Sequence, residues 1–139
     1  MASKILWIED DQEFLRLGCR ELITRGFDVL AACDNDEAME LLRRYGDQIG
    51  LIIQNIHRPP GRCLAGEDLG KHELTGLVFL ARCARRVRPY LPCIFITGTR
   101  WGYYAGSEAK RLGNCLVFER PVLFGYLIDT AQAMILHSV

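Results

Sequence analysis

No apolar run in this 139-residue chain approaches the roughly 20 residues that a bilayer-spanning helix needs, so the protein is expected to stay out of the membrane. Net charge is absent as well. Seventeen Lys and Arg balance seventeen Asp and Glu, and no global field steers the chain toward nucleic acid or an anionic lipid surface. The six cysteines, Cys19, Cys33, Cys63, Cys83, Cys93 and Cys115, contain no CxxC pair, which argues against a disulfide framework and for free, mostly buried thiols. Cys63 lies in one region with His57 and His72, but their spacings match no zinc pattern. Repeats and low-complexity segments are missing too. Glu9, Asp10 and Asp11 arrive too early for an apolar signal sequence, and a cytoplasmic protein is expected.

What remains is an ordinary globular composition, 50% hydrophobic and 24% charged, in a chain of single-domain length, taken as one domain over 1–139. Short apolar runs alternate with amphipathic stretches about a dozen residues long, the pattern of parallel strands joined by crossover helices. Five strands are predicted: Ile5 to Ile8, Asp28 to Ala31, Leu51 to Gln54, Cys93 to Thr97, and Leu116 to Phe118. Asp11 can cap a first helix with Phe14, Leu15, Leu22 and Ile23 inward and Gly26 as its stop. Asp34 or Asn35 opens a second, with Ala38, Leu41 and Leu42 inward and Gly46 at its end. A third spans Gly76 to Val87, a fourth the region Ser107 to Leu112, where Gly102 and Gly106 dilute the pattern, and a fifth Val122 to Leu136. The fold class that follows is α/β, a flavodoxin-like doubly wound five-stranded parallel sheet of order 2-1-3-4-5 with five helices.

In such a sheet the ligand crevice lies at the carboxyl ends of the strands, where the order reverses. Strands one, three, four and five end there at Glu9-Asp10, Asn55, Thr97 and Arg120. An acidic pair after the first strand, a Pro four residues beyond the end of the third (Asn55 to Pro59), a hydroxyl closing the fourth and a cation before Pro121 together resemble the receiver domain of two-component response regulators. The resemblance covers nearly the whole chain.

The resemblance implies that Glu9 and Asp10 match the family's magnesium-holding pair, a hard cation calling for oxygen ligands. The same acids also suit the first helix's N-terminus, whose dipole favours negative charge. Asn55 stands where the family has its phosphoacceptor Asp, and a carboxamide cannot become an aspartyl phosphate. It also removes one negative group. A unit charge pair at 4 Å is worth roughly 4 kcal/mol at an effective dielectric of about 20, so a divalent ion forfeits about twice that in gross attraction, and magnesium is expected to bind weakly. Thr97 matches the family's switch hydroxyl. Arg120 replaces its Lys with a larger planar fork, and the Arg120-Pro121 bond matches its cis peptide. Val117 stands where many receivers carry a rotating aromatic.

Two further features are local. Between Pro59 and Gly76 the family needs only a few residues, whereas this chain has a long connection, about 60–75, expected over the crevice. Its glycines, Gly61, Gly66 and Gly70, argue for mobility, while Leu64, Leu69 and Leu74 are available to dock as a lid or on a partner. Arg82, Arg85, Arg86 and Arg88 cluster at the end of the third helix, where the dipole favours cations. Without interleaved aromatics they read as a solvated face rather than a nucleic-acid patch.

The sequence therefore leads to an atypical receiver-like signalling domain, not an enzyme, that works without phosphorylation through a signalling partner: a histidine kinase, an output domain or another regulator. A homodimer through helix four, strand five and helix five is implied by the resemblance. One alternative is a working phosphoacceptor that uses another acid such as Asp10. Another is a flavodoxin-like ligand-binding protein, which Glu9-Asp10-Asp11 disfavour by repelling phosphate.

Overall fold

The computed structural model describes residues 3–70, 73–98 and 102–137. Five strands form one parallel sheet in the order β2-β1-β3-β4-β5: β1 Lys4–Ile8, β2 Val29–Ala32, β3 Ile49–Asn55, β4 Cys93–Thr97 and β5 Cys115–Glu119. The helices between them are α1 Gln12–Thr24, α2 Asn35–Tyr45, α3, α4 Gly102–Leu112 and α5 Phe124–His137. Helix α3 opens as Thr75–Phe79, widens into a π-helical turn over Leu80–Ala84 and closes over Arg85–Val87. This is the doubly wound plan and strand order expected from the alternation. No helix of the described residues is long and apolar enough to cross a membrane.

Strand period two divides the core. Ile5, Trp7, Leu51, Ile53, Ile94 and Ile96 pack on α1 and α5, while Leu6, Ile8, Ile52 and Phe95 join the cluster of α2, α3 and α4. Trp7 fills its layer so closely that a Cβ on Gly18 of α1 would lie 2.2 Å from the indole ring.

Most boundary differences are one or two residues, with cooperative pairing extending the shorter strand predictions: β3 begins at Ile49 and reaches Asn55, and β5 spans Cys115–Glu119. Helix α4 starts at Gly102, five residues before the expected Ser107, because tertiary packing of Ala105 and Ala109 outweighs the poor propensity of its glycines. Asp11 caps α1 by accepting the Phe14 N–H at 3.2 Å, and Asp34, rather than Asn35, caps α2 by accepting the Glu37 N–H at 2.7 Å. Gly26 ends α1 in the left-handed region, φ 91°. Gly46 differs: it stays right-handed, φ −50°, and the chain runs on into a 3-10 turn over Gly46–Gln48. Close packing accounts for its lack of a side chain, since a Cβ would lie 2.7 Å from Val87 Cγ1.

The connection after β3 is not structureless. Its glycines Gly61, Gly66 and Gly70 have φ of 71°, 81° and 79° and make turns. Arg62–Leu64 is a 3-10 turn whose Arg62 and Cys63 N–H groups donate to Asp36 of α2 at 3.1 and 3.0 Å, and Leu64 is buried. The path runs along α2 and α3. Its described side-chain contacts run to those two helices, Arg62 and Cys63 to Asp36 and Glu67 to Arg82. Lys71 and His72 lie outside the described residues.

Three side-chain expectations change. Ile23, expected inward on α1, is exposed at the end of that helix. Among the free cysteines only Cys93 is fully buried, the other five being half-buried. The arginine cluster is not simply solvated. Arg85 donates to the carbonyls of Leu91, Leu112 and Gly113 at 3.1, 2.6 and 2.6 Å, tying α3 to the carboxyl end of α4, and Arg88 donates to Asp47 O at 3.0 Å.

Candidate functional site

The carboxyl ends of β1, β3, β4 and β5 bring Glu9, Asp10, Asn55, Thr97 and Arg120 into one crevice. Parallel pairing explains the convergence: Ile8 lies beside Gln54, Asn55 beside Ile96 and Thr97 beside Glu119, so the next residue along each strand reaches the same edge.

Glu9 is only 1% exposed, yet carries a carboxylate. Its Oε1 accepts from the Arg120 guanidinium at 2.7 Å and its Oε2 from the Asp11 N–H at 3.1 Å. Burial pushes its carboxyl up to about 7, against the lowering pull of those two partners, so near neutrality Glu9 is divided between acid and carboxylate. Arg120 also lies over the Phe14 ring, 4.4 Å from its centroid, and its backbone N–H donates to Thr97 O at 2.8 Å. The Arg120–Pro121 peptide is cis.

Asn55 presents its amide NH2 to two acceptors, Asp10 Oδ1 at 2.7 Å and His57 O at 2.9 Å, which fixes the orientation of the carboxamide. The opposite atom, Asn55 Oδ1, is buried with no hydrogen-bond partner among the described residues, and so is Thr97 Oγ1. Asp10 remains exposed. Val117 is half-buried on β5 beside Phe95 of β4.

A magnesium ion fits these residues poorly as they stand. The Glu9 carboxylate is already engaged by a guanidinium, and the group facing Asp10 is an N–H donor rather than an oxygen.

One residue of the site carried no recognisable signal in the sequence. Arg58, three positions after Asn55, turns inward and is 6% exposed. Its Nη1 donates to Asn55 O at 2.5 Å, its Nε to Asn35 Oδ1 at 2.7 Å, and its guanidinium lies over the Phe79 ring at 5.4 Å. Asn35 in turn donates to Pro60 O at 2.9 Å, so one chain of hydrogen bonds runs from the crevice to the long connection. Burial lowers the Arg58 pKa to about 10, which leaves it charged at neutral pH. An Arg before two prolines reads as a loop residue, and only the packing turns it into a buried strut.

No family model and no curated protein sequence matches the chain. Solved structures do match. A response regulator receiver domain protein from Clostridium thermocellum is similar at TM-score 0.75 and 20% identity, over 96% of this chain and 94% of that one. A response regulator receiver protein from Sinorhizobium medicae matches at TM-score 0.70 and 23% identity, over 99% of this chain and 98% of that one. NtrX from Brucella abortus matches at TM-score 0.79 and 24% identity, over 99% of this chain but 28% of that one. The fold is therefore that of response regulator receiver domains.

Proposed function

We propose that the chain is a non-catalytic, receiver-like signalling module whose output does not depend on phosphorylation of the crevice. The observation that carries this reading is Asn55. It occupies the end of β3 with a group that cannot accept a phosphoryl group as an aspartate does, and its amide is committed to Asp10 and His57. Magnesium binding is weak on the same reading, because Arg120 already neutralises the Glu9 carboxylate.

Output runs through protein contacts on the face formed by α4, β5 and α5. That face carries the exposed apolar side chains Leu116, Leu123 and Tyr126, a grouping suited to a signalling partner or a second copy of the chain.

Incubation with acetyl phosphate and magnesium, followed by intact-mass measurement, tests the proposal. No gain in mass is expected. A stoichiometric phosphoryl addition overturns it, and mapping that addition to Asp10 selects a phosphoacceptor that uses another acid.

A further inference from the structure

The carboxyl ends of α2 and α3 lie at the edge of the sheet away from the crevice, because each leads into the amino end of the next strand, β3 at Ile49 and β4 at Cys93. The two ends touch. A Cβ on Gly46 would lie 2.7 Å from Val87 Cγ1, and Arg88 Nη1 donates to Asp47 O at 3.0 Å. This contact gathers Arg43 and Arg44 of α2 with Arg86 of α3 and the adjoining Arg88. Arg43, Arg44 and Arg86 are exposed. Glu40 engages Arg43 at 3.4 Å and Arg44 lies over the Tyr45 ring at 6.0 Å, whereas Arg86 makes no ion pair among the described residues.

Tyr90 follows in the turn that leads to β4. It is 84% exposed, the most of any large hydrophobic side chain among the described residues. Its backbone sits in the left-handed region at φ 63°, which a bulky residue rarely adopts and glycine adopts freely. The turn is clamped in that shape. Asn114 Nδ2 donates to Tyr90 O at 3.1 Å, Arg85 donates through Nε and Nη2 to Leu91 O at 3.2 and 3.1 Å, and Leu91 itself is buried. A ring this exposed adds little to packing, so the fold alone gives no reason for a tyrosine over a glycine at this position.

We propose that these arginines and Tyr90 form a docking surface for an acidic segment of a partner protein. Tyr and Arg are the side chains that most often anchor protein interfaces, the ring filling a pocket on the partner and the guanidinium taking a carboxylate through paired hydrogen bonds. Val87, itself exposed, adds an apolar contact beside them. Charge selects the occupant. Arg43, Arg44, Arg86 and Arg88 outnumber Glu40 and Asp47, the acids in the sequence of the same two ends, so carboxylates are attracted and cations repelled. A nucleic-acid backbone outruns so short a patch, and a chain of zero net charge offers it little further hold. The face of α4, β5 and α5 is apolar where this one is cationic, so the two surfaces recognise different chemistry.

The test follows the fluorescence anisotropy of a fluorescein-labelled copolymer of glutamate and tyrosine as the native full chain is added. Saturable binding that weakens as salt rises is expected. Arg44→Glu and Arg86→Glu each weaken it by roughly tenfold, since repulsion replaces attraction, whereas Arg16→Glu, the same charge change on α1, leaves it within about twofold. Tyr90→Gly weakens binding by roughly tenfold while its melting temperature stays at or above that of wild type, because glycine relieves the left-handed backbone. A merely structural role for Tyr90 would give the reverse. Absence of binding, undiminished affinity in either arginine variant, an equal loss in Arg16→Glu, full affinity in Tyr90→Gly, or oligothymidylate bound as tightly as the copolymer each overturns the proposal. Arg44 and Arg86 sit on exposed helix ends, so their variants decide the matter even where Tyr90→Gly does not fold.

Discussion

Arg120 and Glu9 are ion-paired across the crevice at 2.7 Å, the carboxylate side chain 1% exposed and the guanidinium stacked on Phe14. The pair occupies the acid that a metal would need and holds an arginine where it neutralises the pocket. The crevice is thus internally compensated, and its stability depends on pH.

Glu9 sets that dependence. Its pKa in the folded chain is about 7, raised above its ordinary value of 4.5, so the folded state binds the proton more tightly than the unfolded state. The contribution is fully present below about 4.5 and is lost as pH rises through about 7. Its size is on the order of 3–4 kcal/mol at roughly 1.4 kcal/mol per pKa unit. Urea denaturation of wild type and Glu9→Gln across this range should give a stability difference that moves against wild type as pH rises. A constant difference would show that Glu9 titrates normally.

Asn55→Asp exchanges two donated hydrogen bonds for a carboxylate beside Asp10. The variant should lose about 1–2 kcal/mol without a divalent ion, through like-charge repulsion, and recover it when magnesium binds the folded state. Melting temperatures with and without magnesium measure this. Identical responses from the two proteins would mean that Glu9, Asp10 and position 55 do not form a metal-competent crevice.

Arg58→Ala removes a buried cation whose partners, Asn35 Oδ1 and Asn55 O, are left without their donor. A cost of about 2–4 kcal/mol is expected. Arg58→Met should recover part of it by restoring contact with Phe79, but not the two hydrogen bonds. Denaturation midpoints rank the three proteins, and an Ala variant as stable as wild type refutes the strut.

Gly18→Ala would place a Cβ against the rigid indole of Trp7. Overpacking of this kind should cost about 1–3 kcal/mol and shift the environment of Trp7. Thermal denaturation followed by tryptophan fluorescence reports both, and an unchanged melting temperature would mean that α1 moves away freely.

The fold was legible because its signals are local. Apolar runs such as Ile5 to Ile8 and Cys93 to Thr97, the caps Asp11 and Asp34 and the stop at Gly26 are read within a few residues of one another, and together they imply β2-β1-β3-β4-β5. The crevice residues were legible for the same reason, since a parallel sheet delivers its strand ends to one edge. Gly46 misled as a conformational stop because what it serves, room for Val87, lies 41 positions away, which local periodicity does not encode.

By itself the sequence determined the strands, the helices, their order and the acids, amide, hydroxyl and cation that reach the crevice. Only the tertiary structure decided what those groups do to one another: that Arg120 spends itself on Glu9, 111 positions away, that Asn55 turns its NH2 toward Asp10, and that Arg58 goes inward to Asn35. Periodicity and capping depend on neighbours along the chain. Charge pairing, amide orientation and burial depend on which distant atoms share a small volume, and that is settled when the sheet closes and the helices pack on it.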